Sequence, residues 1–166
     1  MELMHSHRWV RREPDWTAAA VSGFVAGAVL MVLELLWSVT VAGEKPWATT
    51  HMIAALLMGT DALHSMDFSL GVAIMALVTH YVLGIFFAVI LAMIMAPFHL
   101  DSSAGMALAA GAVFGLLLYW FNFYGMVRFF TWFEELRGWP SIVAHLVFGM
   151  TAALAYWKLE RREKTQ

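Results

Sequence analysis

Two histidines stand in matching surroundings: His80 in THYVLG and His145 in AHLVFG, each followed four residues later by a glycine. Both interrupt long apolar runs, where an ionisable group costs several kcal/mol unless it is paired or used. Glu34 interrupts a third such run and Asn122 a fourth. Four chemistries fit these residue types. One imidazole from each side of a helix bundle can ligate a b-type haem iron, with His80 and His145 as the axial pair. Two histidines and a carboxylate (His80, His145 and Glu34) form a ligand set for a first-row transition metal, with His51 as a capping ligand. The same groups can relay protons or hold a quinone head group. The plainest alternative is structural: a histidine hydrogen bond across membrane helices contributes about 0.6 kcal/mol on average, and Glu34 paired with either histidine neutralises both.

The elements that position them follow from composition. The chain is 61% hydrophobic and 13% charged over 166 residues, too apolar for an ordinary water-soluble domain. Four stretches, about 17–41, 69–96, 103–124 and 140–157, are long enough to cross a hydrocarbon core. They lack period-two alternation, so they predict helices rather than barrel strands. Pro97 ends the second, Asp101 and Ser103 open the third, and Pro140 suits the first turn of the fourth. A shorter apolar stretch, about 46–63, predicts a helix that lies on the outer surface or re-enters the membrane. The expected fold is all-α: one membrane domain over 1–166, a four-helix bundle with that extra helix between spans 1 and 2.

The histidine stretches belong to a wider similarity. VAGAVL in the first span resembles AAGAVF in the third, as HYVLG in the second resembles HLVFG in the fourth. The chain therefore reads as two helix pairs in the same order, two parallel repeats related by an axis along the membrane normal. Gly23 and Gly27 on the first span, Gly84 on the second, Gly111 and Gly115 on the third and Gly149 on the fourth are small residues at close-packing spacing. His80 and His145 lie on those packing stripes. A rise of ~1.5 Å per residue, counted back from Pro97 and Lys158, puts both at roughly 20–25 Å from the inner boundary. Glu34 and Asn122 fall near the same level, with Asn122 as polar support for the cluster.

Arg8, Arg11 and Arg12 precede the first span and Lys158, Arg161, Arg162 and Lys164 follow the last, against Lys45, Arg128 and Arg137 in the first and third loops. That asymmetry places both tails, 1–16 and 158–166, on the cytoplasmic side of a bacterial inner membrane. A net charge of −2 with no basic stripe argues against a nucleic-acid partner, and the absence of cysteine excludes disulfides and thiolate sites. No phosphate loop, HExxH or GxSxG pattern occurs, so no catalytic activity of its own is expected.

The pattern VAGAV…E…W, PW…HMIAALLMG, HYVLG and HLVFG resembles a group of small bacterial four-helix inner-membrane proteins of unassigned function. Some of these carry a transferred label of sodium–proline symporter. The resemblance covers most of the chain and implies the four-helix inner-membrane fold; it assigns no site residue.

Two functions follow as expectations. The first is an accessory or electron-transfer subunit of a respiratory membrane complex, embedded in lipid beside other subunits or copies of itself, with haem between His80 and His145. The second is a small standalone transporter or channel for protons or a metal ion, built on Glu34, His80 and His145.

Overall fold

The computed structural model describes residues 12–42, 47–65 and 67–160. These residues are all-α. Helix α1 spans Trp16–Trp37, α2 Ala48–Met58, α3 Leu70–Met95, α4 Ala104–Trp120 and α5 Trp139–Leu159. Helices α1, α3, α4 and α5 are long and apolar enough to cross a bilayer; α2 is not.

Local chemistry sets the boundaries. Asp15 caps α1 by accepting from the Ala18 amide at 2.9 Å, and Ser103 caps α4 by accepting from the Met106 amide at 3.1 Å. Helix α2 stops at Gly59, whose φ of 79° suits a residue without a side chain. Pro140 occupies the first turn of α5, where no amide hydrogen is needed. Two spans widen at the same end of the molecule: α1 continues as a π-turn over Ser38–Ala42 and α4 as one over Phe121–Gly125.

The spans run antiparallel in chain order, so both described chain ends and the α3–α4 connection share one face. Helix α2 and the short 3₁₀ turns Thr60–Leu63, Met126–Arg128 and Thr131–Leu136 share the other. Packing is uneven. Helix α1 lies along α3 on one side and α5 on the other, and α5 lies along α4; α3 and α4 barely meet. Helix α2 leans on α3, where Ala54 packs with Val72 and Ala76.

Small residues make the crossings. A methyl group on Gly23 would come within 2.7 Å of the Gly84 carbonyl and 2.6 Å of the Ile85 Cα. On the other side of the molecule Gly111 and Gly149 press against each other's carbonyl oxygens, and Gly115 presses against that of His145. Gly27 differs: a methyl group there would meet the Tyr81 ring at 3.6 Å and His80 at 3.8 Å, ordinary contact. Ala19, Ala26, Ala92, Ala107, Ala152 and Ala153 are fully buried around these crossings. Close backbone approach is how helices associate where lipid supplies no hydrophobic drive. Large apolar side chains instead face outward, among them Phe24, Val82, Phe86, Val113, Leu117 and Trp120. A water-soluble protein would bury such a surface, and a bilayer accommodates it.

At the face with the chain ends, Arg12 Nη1 lies 3.0 Å from Asp101 Oδ2, and the same guanidinium also meets Glu160. The Tyr156 hydroxyl accepts from the Asp15 amide at 3.2 Å beside them. One cation thereby ties the entry to α1, the α3–α4 connection and the exit of α5. Sequence reasoning used Arg12 only as a topology signal and Asp101 as part of a cap.

Candidate functional site

The polar residues of the spans gather toward the face that carries α2, but they do not form one cluster. His80 is buried where α3 crosses α1, with Nε2 2.9 Å from the Gly27 carbonyl oxygen. A carbonyl only accepts, so Nε2 carries the hydrogen, and a neutral ring then keeps its lone pair on Nδ1.

His145 is buried where α5 crosses α4, and its bonding is the opposite. Its Nδ1 donates to the Ser141 carbonyl at 2.8 Å, one turn earlier in the same helix. Its Nε2 accepts from the Asn122 amide nitrogen at 3.2 Å. The rings of Phe123 and Tyr119 stand edge-on to it, with centroids 5.3 and 6.0 Å away. Each imidazole is therefore held in one tautomer, with its Nε2 engaged by protein.

His51 stands apart. It is buried in α2, and its ring nitrogens face two backbone carbonyls, Ala62 at 2.6 Å and Asp67 at 2.9 Å. It staples α2 to the turn that follows instead of capping the histidines in the spans. Among the described residues, no three histidine, aspartate or glutamate side chains come together around a common point for a metal ion. The expected set of Glu34, His80, His145 and His51 is thus dispersed over separate helix contacts. A haem ligated through Nε2 of both His80 and His145 would displace the Gly27 carbonyl from one ring and Asn122 from the other.

Glu34 is the unusual group. It is half-buried in the last turn of α1 and makes no hydrogen bond or ion pair with any described residue. Two cavities open on either side of it. One, about 220 Å³, is walled by Met31, Leu35, Ile53, Ala73, Ala76 and Leu77 and also reached by His80. The other, about 270 Å³, runs between Glu34, Trp37, Trp139 and Ser141 to Glu135 and Arg137. Each has the volume of several waters, at about 30 Å³ per water in the liquid. Ser38 and Thr49 border both.

Arg137 is the residue whose importance sequence reasoning missed, having counted it among the basic residues that set topology. Its Nε donates to the Phe123 carbonyl at 2.8 Å, its Nη1 to Glu134 at 2.7 Å, and its guanidinium lies 4.5 Å from the centre of the Tyr124 ring. These contacts pin the segment before α5 over the π-turn that ends α4. Trp132 donates to the Met52 carbonyl at 3.1 Å, which ties the same segment to α2. Two arginines, Arg128 and Arg137, within or beside a stretch dense in rings were the available signal.

Fold and site together define a class: a multi-pass all-α membrane protein with a carboxyl group that has no partner among the described residues and borders two cavities near one face. No family model matches the chain, and no curated protein or solved structure is detectably similar to it.

Proposed function

We propose that the chain is a small membrane transporter or channel for protons, in which Glu34 is the group that takes up and releases the ion. The observation that carries this reading is the Glu34 carboxylate, set among membrane helices, open to two cavities and bonded to no described residue. An ionisable group left that way is costly, and folding alone gives no reason for it. His80 lines one of the cavities with Glu34 and keeps a lone pair on Nδ1 that can take up a proton. We place both chain ends in the cytoplasm of a bacterium, on the charge asymmetry of the tails, so that Glu34 lies toward the outside.

The reading is tested in liposomes holding a pH-sensitive dye. An imposed potential should drive proton uptake by the wild-type protein and not by Glu34→Gln. Equal uptake by the two would end the proposal.

A second reading has one observation behind it. Gly84 meets Gly23 where α3 crosses α1 as Gly149 meets Gly111 where α5 crosses α4, and one turn before Gly84 and Gly149 His80 lies beside Gly27 and His145 beside Gly115. Glu34 follows Gly27 by seven residues and Asn122 follows Gly115 by seven. This parallel supports two repeated helix pairs, and with them a pair of equivalent histidines for haem in a respiratory subunit. A visible spectrum of the purified protein separates the two. A Soret band lost in His80→Ala and in His145→Ala supports the haem subunit, and a colourless protein supports the transporter.

A further inference from the structure

We infer that the Glu34 cavities bind a lipophilic organic cation, an amine or quaternary ammonium compound with apolar substituents, in exchange for the proton of Glu34. The inference deepens the proposed function and rests on its assignment of Glu34 as the ion-exchanging group.

The lining of the smaller cavity points to this class. Among the described residues it contains one acidic group, one imidazole whose Nε2 is already engaged, and otherwise hydroxyls and apolar walls. A metal ion needs several oxygen or nitrogen ligands to replace its hydration shell. No such set exists among the described residues. An anion would meet the carboxylate as a like charge. A neutral molecule would leave that carboxylate desolvated and uncompensated. An organic cation avoids all three difficulties. Its charge is spread and weakly hydrated, so one carboxylate balances it, and its substituents cover the walls formed by Met31, Leu35, Ile53 and Leu77. Indole rings border both cavities, Trp47 in the smaller, and Trp37 and Trp139 in the larger. Such rings attract cations through their negative faces. Arg137, which lines the larger cavity, is bound to Glu134, to the Phe123 carbonyl and over the Tyr124 ring, so it does not neutralise Glu34; Glu135 also lines that cavity, and Glu34 is the acid that borders both.

The exchange balances. The carboxylic acid of Glu34 releases its proton, the carboxylate pairs with the cation, and return of a proton expels it. Among the described residues, the titratable or charged groups that share the cavities with Glu34 are His80 from α3, and Glu135 and Arg137 from the segment before α5; the described residues that α2 and α5 contribute to the linings are not ionisable.

Binding of benzyltrimethylammonium to the full chain in lipid nanodiscs, followed by calorimetry, tests the inference, with benzenesulfonate as the anionic control. The expected result is saturable binding that weakens as pH falls, drops at least about tenfold in Glu34→Gln and is kept within a few-fold in Glu34→Asp, with no binding of benzenesulfonate. Monodisperse elution of each variant verifies folding. Equal binding by Glu34→Gln, or equal binding of benzenesulfonate, reduces the effect to partition into greasy surface and overturns the inference. Absence of benzyltrimethylammonium binding, beside proton uptake that still needs Glu34, overturns the inference and leaves the proposed function standing. Cation binding that needs the carboxylate, without proton uptake, does the reverse.

Discussion

The Asn122 side-chain nitrogen lies 3.2 Å from His145 Nε2 and fixes that ring between two helices, whereas Glu34, the residue placed likewise on α1, makes no such bond to His80. One pair is locked and the other is open. The difference is chemical. Asn122 donates to a nitrogen lone pair, while His80 has turned its Nε2–H to the Gly27 carbonyl, so the Glu34 carboxylate meets no donor at that nitrogen.

Asn122→Ala is expected to destabilise the protein by about 0.6–1.7 kcal/mol, the span measured for hydrogen bonds between membrane helices. Unfolding in mixed micelles, followed by circular dichroism, checks the figure. Proton uptake should be unaffected, because Asn122 borders neither cavity.

Glu34→Leu is expected to hold or raise stability in the same assay. The change removes no bond to a described residue, and an acidic side chain carries an insertion cost of up to about 2.5–3.5 kcal/mol at the centre of a membrane helix, which falls toward the helix end where Glu34 sits. Loss of stability would show that the carboxylate serves packing after all.

The glycines separate into two groups. Gly111→Ala and Gly149→Ala drive a methyl group into a backbone carbonyl and should each cost about 1–3 kcal/mol, as overpacking does. Gly27→Ala meets only side chains at ordinary contact distance and should be neutral or gain about 0.5–1 kcal/mol from helix propensity. Thermal denaturation of the three variants in detergent distinguishes them.

Arg12→Gln leaves Asp101 and Glu160, both nearly buried, without their shared cation. A fully buried pair broken in this way costs about 3–5 kcal/mol, and the partial exposure of Arg12 lowers the expectation to about 2–3 kcal/mol. Adding Asp101→Asn to that variant should recover part of the loss, which a double-mutant cycle measures.

Much of this was legible in the residues and some was not. The four apolar helices were, because each run stays predominantly apolar over the length that a hydrocarbon core demands, and Pro97, Ser103 and Pro140 mark three of the boundaries. So was the placement of His80 and His145 at close helix crossings, since Gly84 and Gly149 follow them at the spacing of one helix turn. The partners of the two rings were hidden. A backbone carbonyl such as that of Gly27 has no signature in a sequence, and residue types alone cannot show that His51 turns to Ala62 and Asp67. The clasp of Arg12 with Asp101 and Glu160 joins segments far apart in the chain, where pattern reasoning has no reach.

The meagre contact between α3 and α4 has a consequence for assembly. With α1 and α5 as the shared seam, the molecule consists of two hairpins hinged like the covers of a book, and the segment joining α3 to α4 serves as a tether. A break in that tether near His99, already turned to a φ of 56°, leaves each hairpin whole. Two separately inserted fragments would then dock through the spine, guided by the same salt link that crosses it.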